Sequence, residues 1–341
     1  MTVEAAPADG VETGSLRIGV LGAAGITERA MIDPSRALEG VRVEAIASRD
    51  PERARALADR LGVPRASDYD GVLADPDIDL VYIALPPVFH AEWAARALAA
   101  GKHVLCEKPL SANGTTAARI ADAAEAAGRR AFVGFHYRLH PFIERLLDVL
   151  DSGVLGRTER IDVDFSIPHF VVQPGNIRLD GNLGGGAFMD VGCYAIDLLR
   201  AGWGEPEVLR AVAQPYGADP RIDLQMDADL RLPGDVPARV RASFLGDDTG
   251  SMTLRVTGTD ARLAATSVIV PQWGAVLHVE SDDGVLLEER AREGDNSYER
   301  QLAHIAMVLR DGSPSVLDAA RGVGTMQAVD GVYRAAGLQP R

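Results

Sequence analysis

Short apolar runs without polar alternation mark the first half of the chain, at residues 16–21, 41–47, 80–85, 103–106 and 130–135. Between them lie 51–61, 91–100 and 113–127, rich in Ala, Arg, Glu and Leu. A strand with no polar side is covered on both faces, and helical crossovers between such strands build a parallel sheet. The first half is therefore expected to be a doubly wound α/β domain. It closes near Arg138, where 141–152 begins a helix leading away.

Beyond that point the period changes. Ile161, Val163 and Phe165 alternate with Arg160, Asp162 and Asp164, and 222–230 interleaves Ile, Leu, Met and Ala with Asp and Gln. Val240, Ala242 and Phe244, then Met252, Leu254 and Val256, follow the same rule. Period two marks strands with one exposed side. The expected second domain is α+β, with a largely antiparallel open sheet and helices at 187–201, 298–310 and 317–336. An open sheet with one face covered by helices leaves the other free, and such a face commonly pairs with a second copy. A homodimer or homotetramer is expected.

Length and composition narrow the class. At 341 residues the chain exceeds what one core usually supports, and 47% hydrophobic with 25% charged residues is ordinary for a globular protein. The expected division is a tail at 1–14, a nucleotide-binding domain at 15–138 and a substrate-binding and oligomerisation domain at 139–341. Residues 1–14 are small and acidic, without the apolar core of a secretion signal. A net charge of −14 works against nucleic acid and anionic membranes as partners. Two cysteines, Cys106 and Cys193, are too few for a disulfide framework, so a reducing cytoplasm is expected. No Cys/His cluster has the convergence that zinc needs, and no metal is expected.

The first apolar run leads into Gly22-Ala23-Ala24-Gly25-Ile26-Thr27. With Gly22 first, Ala24 and Thr27 fill the second and third positions of a dinucleotide fingerprint, a degenerate match that also suits a plain strand-to-helix turn. Small residues there let the backbone approach a pyrophosphate, whose charge meets a helix N-terminus. About twenty residues on, where an acidic residue would bind the ribose 2′-hydroxyl, stand Ser48 and Arg49. A hydroxyl and a guanidinium suit a 2′-phosphate, so NADP(H) is expected over NAD(H). Asp50 before Pro51 is expected to cap the following helix.

Cys106-Glu107-Lys108-Pro109-Leu110 follows the 103–106 strand, with Leu85-Pro86-Pro87 and His90 upstream. Tyr137-Arg138-Leu139-His140-Pro141 stands at the domain junction, and Gly184-Gly185-Gly186 leads to Asp197. Together these segments resemble the glucose-fructose oxidoreductase, inositol dehydrogenase and rhizopine-catabolism (Gfo/Idh/MocA) family, over nearly the whole chain from Arg17. The resemblance implies an α/β Rossmann domain followed by an α+β domain, and a catalytic, cofactor-adjacent role for Lys108. It also places Gly22, Ala24, Gly25, Ile26, Ser48, Arg49, Pro86, His90, Glu107 and Lys108 around the cofactor.

The residues support that role independently. A lysine at the C-terminal edge of a parallel strand sits where open α/β sheets bind ligands, and its ammonium can stabilise charge on a reacting oxygen. The resemblance makes 186–197 the substrate-side helix, and the spacing of four puts Asp190 and Tyr194 on one face. Many family members carry histidine at the Tyr194 position. Tyrosine resembles the subgroup of glucose-fructose oxidoreductase, dihydrodiol dehydrogenase and 3-ketosugar reductases. Lys108, Tyr194 and Asp190 are the catalytic candidates; Lys108, Tyr137, Arg138, Arg178, Asp190 and Tyr194 are the substrate-binding ones. Other readings stand beside these: Tyr194 as a core aromatic, His90 as a helix-start histidine, Arg178 in a loop salt bridge. The expected function is NADP(H)-dependent hydride transfer at a carbon–oxygen centre of a sugar, nucleotide-linked keto sugar or cyclic diol. An NAD-recycling glycosidase of the same fold and a non-catalytic cofactor sensor are the competitors.

Overall fold

The computed structural model describes residues 15–341, so the expected 1–14 tail lies outside the described residues. The first unit alternates strand and helix. Strand β1 (Leu16–Leu21) runs through the glycine loop into a π turn (Glu28–Ile32) and α1 (Asp33–Ala37). Then come β2 (Val41–Ala47), α2 (Pro51–Leu61), β3 (Arg65–Ser67), α3 (Tyr69–Ala74) and β4 (Leu80–Ile83). Helix α4 (His90–Ala99), β5 (His103–Cys106), α5 (Gly114–Ala127) and β6 (Ala131–Val133) complete the unit. The six strands are all parallel in the order β3-β2-β1-β4-β5-β6. This is a Rossmann sheet, and its order reverses between β1 and β4, the crevice where such sheets bind ligands. Local chemistry fixes the helix starts: Asp50 accepts from the amides of Glu52 and Arg53 and caps α2, and Asn113 forms a capping box with Thr116 at α5.

Helix α6 (Pro141–Asp151) leads to β7 (Thr158–Pro168) and, after three short 3₁₀ turns, to a π turn (Phe188–Gly192) continuous with α7 (Cys193–Trp203). Seven strands follow: β8 (Glu207–Tyr216), β9 (Asp219–Leu232), β10 (Val236–Gly246), β11 (Ser251–Gly258), β12 (Arg262–Ala265), β13 (Val276–Ser281) and β14 (Gly284–Arg290). The second sheet has eight strands in the order β14-β13-β12-β11-β7-β10-β9-β8. Its pairs are antiparallel except β7 with β10, which run parallel.

One face of this sheet is apolar: Ile161, Val163, Phe165, Met226, Ala228, Leu230, Val240 and Ala242 are all buried. Slipping β7 by one residue would move Ile161, Val163 and Phe165 into water, a loss of about 5 kcal/mol or more, so alternation fixes the register. The opposite face carries Arg160, Asp162, Asp227 and Arg239, paired at 2.6 Å (Arg160–Asp162) and 3.0 Å (Arg239–Asp227).

Helices α8 (Ser297–Asp311) and α9 (Ala319–Ala335) return to the first unit, α8 against α1 and α9 against α5 and β6. The Val133 amide donates to the Leu317 carbonyl at 2.8 Å, and Arg130 bonds Asp318 at 2.7 Å. The largest core cluster therefore runs through both sheets. Among the described residues no helix is long and apolar enough to cross a membrane.

Candidate active site

The C-terminal ends of the parallel strands gather most of the residues singled out in the sequence. After β1, Gly22 adopts φ +114°, and a Cβ there would lie against the Ala84 carbonyl oxygen. Both constraints require glycine. Gly25 is exposed with open space beside it, Ala24 and Ile26 are half-buried, and Thr27 is buried at the start of the helix. A loop of glycine and alanine from Gly22 to Gly25, leading into helical amides, is the geometry that receives an anion.

At the end of β2, Ser48 is buried and its Oγ accepts from the Asp50 amide at 3.3 Å. Arg49 is exposed, with its guanidinium 5.9 Å from the centre of the Phe89 ring and no ion pair among the described residues. Asp50 directs Oδ1 to the amides of Glu52 and Arg53, at 3.0 and 3.3 Å, and so serves the helix. Arg53, which no motif had marked, donates to the Ala23 carbonyl at 2.8 Å and puts a second cation against the glycine loop.

The loops after β4 and β5 are tied together. Pro86 opens a 3₁₀ turn, and His90 behind it is fully buried, with Nδ1 3.0 Å from the Pro109 carbonyl and Nε2 2.7 Å from the Leu85 carbonyl. Burial pushes its pKa down. Both ring nitrogens face backbone carbonyls, of which the neutral ring donates to one, so His90 packs between the two loops and turns neither nitrogen to the cleft. Glu107 accepts from the Tyr82 hydroxyl at 2.7 Å, and burial raises its carboxyl above the usual range.

Lys108 reaches from the end of β5 to the other unit. Its Nζ lies 2.6 Å from Asp190 Oδ1 and 2.9 Å from the Asp190 carbonyl. Arg178 Nε takes the second carboxylate oxygen at 2.6 Å. Burial opposes the charge on Asp190, but the two cations outweigh it and hold the carboxyl well below its ordinary range. Tyr194 is buried, with Lys108 Nζ 5.1 Å from its ring centre. Burial, reinforced by Tyr298 and Glu107, raises its phenol well above 10. Lys108 thus meets both residues of the 190/194 pair. The reason is partly unexpected: Asp190 sits in the π turn and Tyr194 in α7, so the spacing of four spans a junction between two helical forms.

The approach of the π turn depends on Gly186, whose φ is +126° and whose Cβ would press on the buried Asp223. Asp223 holds this turn by accepting from the Phe188 amide at 2.7 Å, the Tyr333 hydroxyl at 2.7 Å and Arg341 at 3.2 Å. No local signal in the sequence marked this hub.

Tyr137 and Arg138 are not turned to this cluster with their polar ends. Both bond Asp197 Oδ2, at 2.6 and 3.2 Å, and fasten the linker to α7, while the Tyr137 ring packs edge-on against Tyr194 at 5.6 Å. Their neighbour His136 does reach the site: its Nε2 lies 3.3 Å from the Tyr194 hydroxyl. Its partner Ser297 is 161 residues away in sequence, which no spacing rule can show. His140 caps α6 through Nδ1, accepting from the Phe142 amide at 3.1 Å. Among the described residues no three His, Cys, Asp or Glu side chains converge as a metal site.

A six-stranded Rossmann sheet, a glycine loop at its switch point and a lysine facing a second α+β unit define a class of nucleotide-dependent oxidoreductases. Residues 16–135 match the oxidoreductase family with an NAD-binding Rossmann fold, and residues 143–264 match the Gfo/Idh/MocA C-terminal domain. The chain belongs to the Gfo/Idh/MocA family and is an NAD(P)-dependent oxidoreductase. It is 36% identical to D-xylose 1-dehydrogenase (NADP(+)) 2 of Haloferax volcanii over 326 residues, covering 94% of this chain and 97% of the relative. It is 32% identical to dTDP-3,4-didehydro-2,6-dideoxy-alpha-D-glucose 3-reductase of Streptomyces violaceoruber over 334 residues, covering 95% and 96%. The solved 3-ketoreductase from Actinomadura kijaniata, in complex with NADP and TDP-benzene, superposes with a TM-score of 0.87 at 28% identity, covering 94% of this chain and 98% of that one.

Proposed function

We propose that this chain is an NADP(H)-dependent oxidoreductase of sugars or nucleotide-linked keto sugars, with Lys108 and Tyr194 handling the proton and Asp190 holding the lysine. The observation that carries the reading is the convergence of Lys108, from the edge of the parallel sheet, with Asp190 and Tyr194 from the other unit. It is supported by relatives named for NADP(+)-dependent oxidation of D-xylose and for reduction of a dTDP-linked keto sugar.

NADP(H) fits the residues present. The Gly22 to Ile26 loop would take the pyrophosphate, Ser48 and Arg49 the 2′-phosphate, and the loops at Pro86 and Glu107–Lys108 would border the nicotinamide. An exposed guanidinium beside an Asp50 already engaged in capping α2 favours the phosphate over a bare hydroxyl. When bound, the nicotinamide supplies or accepts the hydride.

The chain's own groups do the rest. Burial disfavours the phenolate, so Tyr194 keeps its proton, and the neutral phenol is the form required for donation to a nascent alkoxide during carbonyl reduction. Lys108 brings a fixed positive charge to the same place and offsets the negative charge that develops on the reacting oxygen. Asp190, fixed by Arg178, aims the ammonium. The same reading gives residues 15–138 to the cofactor and 139–341 to the substrate, and pairs two copies through the outward face of the eight-stranded sheet, whose interleaved Arg and Asp residues are self-complementary.

The test is an aldose panel headed by D-xylose with NADP(+), and dTDP-keto sugars with NADPH, followed by cofactor absorbance and product analysis. Net cofactor turnover with at least one sugar, abolished in Lys108→Ala, is expected. Sugar cleavage without net turnover would make the chain a recycling glycosidase, and cofactor binding without either reaction would make it a sensor; both results defeat the proposal.

A further inference from the structure

A histidine lies behind Tyr194 with no part in the chemistry so far. We propose that His136 is the positioning residue for Tyr194, accepting the phenol's hydrogen bond at Nε2 while Ser297 and Gln272 fix the imidazole tautomer that can accept it. This rests on the reading of Tyr194 as the proton donor.

The chain of contacts ends at Gln272. The Gln272 amide oxygen can only accept, and the Ser297 hydroxyl donates to it at 3.1 Å. Serine has one proton, so Ser297 Oγ must accept from its other neighbour, His136 Nδ1, at 2.8 Å. Nδ1 therefore carries the imidazole proton, and Nε2 presents its lone pair to the Tyr194 hydroxyl at 3.3 Å. The ring cannot turn away. It is 2% exposed, stacked on Tyr298 at 4.0 Å and 29°, and met edge-on by Tyr194 at 6.1 Å.

The surroundings also keep the acceptor neutral. Burial, then the cations Lys108 and Arg29 and the neighbouring His140, push His136 down to about 3. On the other side, Tyr194 faces Tyr298, Glu107, Cys193 and Asp190, all of which disfavour its anion. A lone pair at the phenol oxygen adds to that: the proton rests against His136 until a substrate oxygen competes for it. The hydroxyl then turns about its C–O bond from a fixed ring position. Holding the donor within a fraction of an ångström is worth roughly a hundredfold in rate when it is lost.

The experiment uses the protein with NADPH bound and ¹⁵N-labelled histidine. The His136 Nε2 resonance is expected in the unprotonated range, moving when Tyr194→Phe removes its donor, and Ser297→Ala is expected to shift the tautomer toward Nε2–H. An Nε2 signal blind to Tyr194→Phe overturns the proposal. In single-turnover hydride transfer, with the sugar that the cofactor assay selects, His136→Met is expected to lose about 10- to 100-fold in kcat with KM and NADPH affinity nearly unchanged. His136→Gln, whose amide oxygen accepts at the same place, recovers most of the loss. In the Tyr194→Phe background His136→Met adds nothing, because the histidine acts only through the phenol. If His136→Met does not fold, Ser297→Ala carries the same test with a loss of about 3- to 10-fold. A costly Tyr194→Phe with a harmless His136→Met defeats this inference alone; a harmless Tyr194→Phe defeats it together with the proposed function.

Discussion

Replacing Asp190 with alanine removes the carboxylate that Lys108 and Arg178 share. Breaking a buried ion pair from one side costs about 3–5 kcal/mol when the remaining charge has no other partner. Here the cost is smaller. The Arg178 side chain is 37% exposed and recruits water, so its share falls toward the value of a surface pair, below about 1 kcal/mol. Lys108 is only 15% exposed, but the backbone carbonyl at residue 190 survives the substitution and still accepts from Nζ. A net loss of about 2–3 kcal/mol is expected at neutral pH, read as a lower urea midpoint with unchanged slope. The dependence on acid has a defined sign. The native carboxyl titrates below its unfolded value of about 3.9, so its stabilisation is complete above that pH and is lost as pH falls further. The gap between parent and variant should thus hold from neutrality to about pH 4 and narrow below it. A variant within about 0.5 kcal/mol of the parent at neutral pH, or a gap that widens on acidification, would refute the reasoning.

Two further outcomes follow from the same geometry. Arg49→Ala should weaken NADPH by about 10- to 100-fold and NADH hardly at all, since one charge-assisted contact contributes about 1.5–3 kcal/mol; equal losses in a fluorescence titration would remove Arg49 from the site. Light scattering at micromolar concentration should give a dimer or larger, and reversing one charge of the outward Arg160–Asp162 and Asp227–Arg239 face should weaken it; a monomer contradicts the proposed pairing.

The parallel sheet was legible because its strands are buried on both faces and bounded by strong signals. The 16–21, 41–47 and 103–106 runs are strands residue for residue, and Asp50-Pro51 opens α2 where the capping chemistry requires. The three-residue strand β3 and the short α3 carry too few residues to show a period. In the second unit, alternation found the central strands, but β8 and β14 are mostly exposed and give no apolar stripe. Nor does alternation reveal direction, so the parallel β7–β10 pair within an otherwise antiparallel sheet was invisible. At the site, Lys108 and Arg178 meet on the Asp190 carboxylate, whereas the residue types had offered Arg178 only as a substrate contact or a loop salt bridge and had not paired Lys108 with Asp190. Tyr137, Arg138 and His90 turned their polar atoms to Asp197 and to backbone, because buried donors and acceptors near a junction are satisfied first by the fold itself. Contacts across 161 residues, such as His136 with Ser297, exist only once both units are assembled.

The central claim is that Lys108 and Tyr194 act on the proton at the reacting oxygen while the glycine loop and Arg49 hold the cofactor. Its most direct test is single-turnover hydride transfer from NADPH in Lys108→Ala and Tyr194→Phe, with folding confirmed by circular dichroism. Each variant should slow transfer by about 10²- to 10⁴-fold while binding NADPH within a few-fold of the parent. Transfer at the parental rate in both variants would contradict the account.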